Sequence, residues 1–192
     1  MTVTRHASRE SGQASPLYVF VVASLLFLAL AFFAVGQAGA TRNGAQSAAD
    51  AAALAAAREQ RDSFALTIDE LGDLLNGDLI PTLDGCGASH YYAGQNGAEV
   101  DDCASLNDGR WGSTVWVTSL KPVGDTVLPG TEGQHAKATA TAIVIPRCSF
   151  EPADDDSAAS PGSLDCEGDV VDLDLTDLPD MSDLFEVRLA ED

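Results

Sequence analysis

Hydrophobic and polar positions divide this 192-residue chain into three regimes. From Leu17 to Gly36 twenty residues run without a charge, "LYVFVVASLLFLALAFFAVG", interrupted only by Tyr18 and Ser24. Wound as a helix, that run spans ~30 Å, the thickness of a bilayer's hydrocarbon layer. Asn43 to Gln60, "NGAQSAADAAALAAAREQ", follows with alanine at half its positions, and alanine is the strongest helix former. Leu66, Ile68, Leu71, Leu74 and Leu75 extend a near-helical apolar spacing until Asn76-Gly77 ends it.

Beyond residue 77 the period changes to two. "STVWVTSL", Ser113–Leu120, sets Val115 and Val117 against Trp116 and Leu120. "AKATATAIVIP", Ala136–Pro146, sets Ala138, Ala140, Ala142 and Val144 against Thr139, Thr141, Ile143 and Ile145. "VVDLDLTDL" turns Val171, Leu173 and Leu175 inward and Asp172 and Asp174 outward, and "LFEVRLAE" turns Phe185, Val187 and Leu189 against Glu186 and Arg188. These are four predicted strands. The acidic face of the third suits an edge strand kept from aggregating by charge. Turn sequences "GQNGAE", "NDGRWG" and "PGTEGQH" separate the strands. The expected fold class is α+β: a long N-terminal transmembrane and stalk helix, then a small antiparallel β-rich domain packed on the helix's distal end. The expected divisions are a tail (1–16), a membrane helix (17–37), an alanine-rich helical stalk (38–76) and an outer domain (77–192), with 151–164 a disordered insertion.

Arg5 and Arg9 precede the apolar run, and the next cation is Arg42. That bias predicts a single-pass cell-membrane protein with a cytoplasmic N-terminus and an extracytoplasmic C-terminal domain. Pro16 suits a helix first turn, where the missing N–H costs nothing. A cleaved secretory signal is the rival reading, because Ala38-Gly39-Ala40 has the small-residue pattern of a cleavage site. Twenty apolar residues exceed the 7–15 of a signal core, which favours a retained anchor.

Small residues recur at every fourth position of the predicted helix: Gly36, Ala40, Gly44, Ala48, Ala52 and Ala56. Such a row lets another helix approach backbone to backbone, and these six are the candidate helix-packing residues. Alanine richness alone also produces such rows.

The leader "SGQAS", the single apolar helix and "RNGAQSAADAAALAAA" together resemble the start of TadE/TadG-like proteins of the Flp (tight adherence) pilus assembly system, over about residues 9–60. The most specific piece is Gln46–Ala57, "QSAADAAALAAA". The resemblance implies a membrane-anchored structural component whose partners are the membrane and other pilus or secretion-system proteins, reached through the N-terminal helix. Prepilin-like members carry a glutamate five residues after a processed glycine; after Gly12 this chain places Leu17 there. The uncleaved, TadG-like form is therefore expected.

Charge narrows the function classes. The formal net charge is −20, and the part after residue 40 carries eight Lys/Arg against 29 Asp/Glu. So acidic a surface repels nucleic acid, and no nucleic-acid partner is expected. Cys86, Cys103, Cys148 and Cys166 are an even set, which beyond the cytoplasm favours two disulfides, with three connectivities open. Sequence proximity favours Cys86–Cys103 and Cys148–Cys166. No C-x-x-C occurs, so neither a zinc knuckle nor a dithiol redox site is expected. Asp154, Asp155 and Asp156 with Glu151, and Asp165, Glu167 and Asp169, lack EF-hand spacing and read as solvated chain rather than a calcium site.

His90, Tyr91 and Tyr92 lie in "GCGASHYYAGQNGAEVDDC", a glycine-rich stretch expected to be a loop closed by the first disulfide. Exposed, they would form a contact loop for a sugar or a protein; the preferred reading has them plugging the loop's floor. Only His90 and His135 stand beyond the apolar run, and no G-x-S-x-G elbow, P-loop or H-E-x-x-H occurs. A non-enzyme is expected, with no cofactor, metal or small-molecule substrate. The alternative function is a secreted or anchored binding protein unrelated to pili, with Tyr91 and Tyr92 as contacts.

Overall fold

Alanine-rich sequence has little alternative to helix, and here it extends the apolar run without a break. Helix α1 covers Ala14–Ser63, fifty residues. The structure, a computed structural model, describes residues 14–64, 67–81, 83–124, 130, 133–153, 160–174 and 176–191. The tail before Ala14, Leu66, and Asp154, Asp155 and Asp156 fall outside them.

After α1 come α2 (Ile68–Asn76), α3 (Cys86–Gln95), β1 (Ala98–Ser105), β2 (Gly112–Ser119), β3 (Lys137–Pro146), β4 (Cys148–Pro152), β5 (Gly162–Cys166), β6 (Asp169–Asp172), α4 (Met181–Leu184) and β7 (Phe185–Leu189). Two antiparallel sheets result, one ordered β1-β2-β3-β7 and one ordered β4-β5-β6. The α+β class and the antiparallel pairing are as expected, but there are two sheets rather than one. β1, β4 and β5 had no clear alternation to reveal them. In β1, "AEVDDCAS", the Val100–Asp102 register shift breaks the period of two.

The larger sheet turns its apolar side to the second half of α1. Val115, Val117, Ala140, Ala142, Val144 and Phe185 from the strands meet Ala48, Ala49, Ala52, Ala53, Ala56 and Ala57 of the helix, all buried. Small side chains on both sides bring helix and sheet close together. Two hydrogen bonds give the relative direction. Gln46 Nε2 donates to the Thr139 carbonyl near the start of β3, at 3.2 Å. Arg61 Nη1 donates to the carbonyl of Phe185, the residue paired with Pro146 at the end of β3. Strand β3 therefore runs alongside α1 in the same direction. Seven strand steps of ~3.3 Å and fifteen helix steps of ~1.5 Å cover the same ~23 Å.

At the far end, Trp111 packs edge-on to Phe64 and Phe185, with ring centroids 6.2 and 5.3 Å away. Helix α2 buries Leu71, Leu74 and Leu75 and stops at Gly77, whose φ of 80° lies in the left-handed region open to glycine. The stop is where Asn76-Gly77 placed it, although the chain leaves helix at Phe64 first, so residues 43–76 are two helices.

Further corrections concern strands and termini. Among the described residues of the segment Val170–Leu178, strand covers only the part that belongs to the four-residue β6 (Asp169–Asp172); Val171, expected to face inward, is exposed, Leu173 is buried, and Leu175 lies outside the described residues. Its place at a sheet edge is as expected. The stretch 151–164 includes the end of β4 and the start of β5, so strand enters both its ends. β2 ends at Ser119, leaving Leu120 outside the strand and 54% exposed.

Candidate functional site

Two regions carry the candidate residues: the first half of α1, and the helix α3 stapled to its second half. Residues from Leu17 to Val35 leave their large side chains bare; Tyr18 is 72%, Phe20 70% and Phe32 75% exposed. The helix has a mean hydropathy of 2.7 over its most apolar window, and among the described residues it is the one helix long and apolar enough to cross a membrane. In water such a surface would be a severe liability; in lipid it is the stable state.

The small-residue row splits where the sheet begins. Gly36, Ala40 and Gly44 are exposed, and an added Cβ at Gly36 or Gly44 meets nothing within 4 Å. Ala48, Ala52 and Ala56 are fully buried within the molecule. This corrects the expectation that all six residues of the row are open to another helix: three of them hold α1 on the sheet. Set against a sheet lined by Ala and Val, alanine permits an approach that larger residues forbid, and the contact area comes from many residues. Only the first three positions remain open to another helix.

The two disulfides pair Cys86 with Cys103 and Cys148 with Cys166, with Cα atoms 5.9 and 4.1 Å apart. The first ties α3 to β1 and the second ties β4 to β5. The stretch holding His90, Tyr91 and Tyr92 is not a loop. It is the ten-residue helix α3, so the glycines there serve contact rather than flexibility. A Cβ on Gly85 would stand 2.0 Å from the Ala56 carbonyl oxygen, and one on Gly87 would stand 3.0 Å from Glu59 Oε1. Glu59 Oε2 accepts the Ala88 N–H at 2.6 Å, which places a carboxylate at the positive end of α3. Asp84 accepts the Cys86 N–H in the same turn.

These contacts leave His90, Tyr91 and Tyr92 facing solvent. Tyr91 is 64% and Tyr92 46% exposed, and their rings stack edge-on at 5.3 Å. The plug reading fails, because Ser89 and Ala93 fill the interior side of α3. Tyr92 borders an open groove of about 440 Å³ floored by Ala51, Leu54, Ala55 and Ala88 with Arg58 and Glu59 beside them.

Sequence reasoning missed Gln60. Fully buried, its Nε2 donates to the Leu83 carbonyl at 2.6 Å and to Ser105 Oγ at 2.8 Å. It anchors the α2–α3 connection to the sheet. Its place on the same helical face as Ala49, Ala53, Ala56 and Ala57 is the pattern that could have revealed it. No group of three or more His, Cys, Asp or Glu among the described residues is arranged to hold a metal ion. Asp108 is held below the usual carboxylate range by its hydrogen bonds from the Arg110 side chain, and Asp174 by hydrogen bonds from the Thr176 backbone and hydroxyl. Both are exposed turn residues.

Residues 12–59 match the Tad family model, Flp pilus-assembly TadE/G-like. That span is nearly the stretch on which the resemblance was read. It takes in the exposed apolar half of α1 and the alanines under the sheet, and it ends before α2. No curated protein and no solved structure matches the chain.

Proposed function

We propose that this protein is a membrane-anchored structural component of a Flp-type pilus or secretion apparatus, and that it is not an enzyme. The observation that carries the reading is one helix with two unlike halves. Residues 17–35 present a bare apolar surface, and the other half is the foundation of the folded domain. The family match spans both. In this reading the bare half sits among membrane helices, with Gly36, Ala40 and Gly44 allowing close approach, and the acidic, disulfide-stapled domain stands outside the cytoplasm.

Crosslinking in native membranes, followed by identification of the trapped proteins, tests the assignment. Pilus-assembly or secretion-system membrane proteins are expected among the products. A protein that crosslinks to nothing, or that is released whole into the medium, refutes it.

The exposed Tyr91–Tyr92 pair favours a second reading, an anchored binding protein that uses α3 as its contact face. Replacing both tyrosines with alanine separates the two. Loss of partner capture with membrane crosslinks intact supports the binding reading.

A further inference from the structure

The geometry points to a second contact with the bilayer: we infer that the β2–β3 end of the larger sheet rests on the lipid headgroups, with Leu120 at the acyl boundary and Lys121, Lys137 and Arg42 on lipid phosphates. The inference rests on α1 being a membrane span.

Helix and strand run side by side, so each can be read as a ruler for the other. Thr139 lies at the level of Gln46. Two strand steps back toward the start of β3 descend ~6.6 Å, which puts Lys137 at the level of Arg42. Thr118 pairs with Lys137. One further step along β2 to Ser119 and the bend residue after it lower Leu120 by at most another ~6.6 Å, toward the level of Gln37, the first polar residue after the apolar run. The headgroup layer adds ~5–7 Å to each side of the hydrocarbon. Leu120 therefore stands at the hydrocarbon boundary and Lys137 at the outer edge of the headgroups.

Side-chain chemistry agrees with that placement. Leu120 is 54% exposed, whereas Leu173 and Leu184, which also flank strands, are buried and Leu106 is half-buried. The backbone N–H of Leu120 is held by the Gly97 carbonyl at 2.8 Å, so the residue is fixed rather than trailing. Lys121 and Lys137 are the only lysines in the chain. Both stand at this end of a protein of net charge −20. Lysine stems lie along apolar surface while the ammonium reaches the phosphates. Facing groups are Asp101, 3.9 Å from Lys137 Nζ and hydrogen-bonded by Thr118, and Glu99 beside it on β1. Lys121 and Arg42 have no ion-pair partner among the described residues. Asp125 and Glu132 of the same connection lie outside those residues.

Spin labels on the full chain, reconstituted in phosphatidylglycerol–phosphatidylcholine vesicles, test this. Labels are placed singly at Leu120→Cys, at Phe27→Cys within the apolar run and at Asn107→Cys at the far β1–β2 turn. Relaxation by oxygen, which concentrates in lipid, is compared with relaxation by a water-soluble nickel chelate. The label at 120 should favour oxygen several-fold over the label at 107, and adding Lys121→Glu should abolish most of that difference. A label at 120 as accessible to nickel as the one at 107, with the label at 27 immersed, overturns the headgroup contact and leaves the anchor standing. Water exposure at 27 overturns both. An unchanged depth at 120 in the Lys121→Glu protein overturns the phosphate contact.

Discussion

Single atoms decide how α3 meets α1. A methyl group on Gly85 would have to share space with the Ala56 carbonyl, and backbone cannot swing aside as a side chain can. Gly85→Ala should destabilise the domain by about 3 kcal/mol, at the upper end of overpacking costs, as a lower urea midpoint of the detergent-solubilised chain. Gly44→Ala, with open space around it, should leave that midpoint unchanged or raise it slightly. Ala48→Leu should also unfold the folded domain more easily, by ~1–3 kcal/mol, because Ala48 lies under the sheet. Gly44→Leu, by contrast, should spare the fold and reduce crosslinking to neighbouring membrane helices. If Ala48→Leu leaves the urea midpoint intact, the helix–sheet contact is refuted. Asp108 and Asp174 act on pH dependence in a set direction. Their folded pKa values lie below the ordinary 3.8, so their stabilisation is present above that value and is lost as pH falls through the folded ones. Replacing either with Asn should flatten an acid titration of stability only below about pH 4.

At the scale of elements, the sequence was most legible where periodicity was strong. The apolar run, the alanine run, β2, β3 and β7 all declared themselves, and the cysteines paired as their spacing favoured. Three failures share a cause. The glycines of α3 look like loop residues, yet Gly85 and Gly87 are there because α1 passes close by, which is information about a neighbour 29 residues away or nearer in sequence. The small-residue row reads as one surface, yet a sheet built from residues 98–189 covers half of it. β1 hides its alternation behind a bulge and three acidic positions. In each case a tertiary contact overrode the local pattern. The exposed half of the row and the tyrosine pair make up the candidate site, and only their residue types, not their accessibility, could be read beforehand. The first staple closes a loop between Cys86 and Cys103 at a separation of 17. Removing it by Cys86→Ser and Cys103→Ser should cost roughly 3 kcal/mol in the chain-entropy account. Hydrogen exchange should rise first at the Cys86 end of α3, while Ser89 and Ala93 on the interior side and the Glu59 acceptor at Ala88 continue to hold the helix on α1.

For the whole molecule, charge and shape act together. A folded domain bearing most of a −20 charge repels itself, and salt screens that repulsion over a Debye length of ~8 Å at physiological strength. The Tm of the solubilised chain should therefore rise with added salt, as followed by circular dichroism; a fall would mean that attractive ion pairs outweigh the repulsion. The unbroken course of α1 from Ala14 to Ser63 has a mechanical meaning. With no joint between bilayer and domain, the two behave as a single lever. A lean of ~20° in the lipid, ordinary for a spanning helix, sweeps the Ser63 end sideways by roughly 14 Å. Tension applied to the sheet is delivered along the apolar shaft without slack.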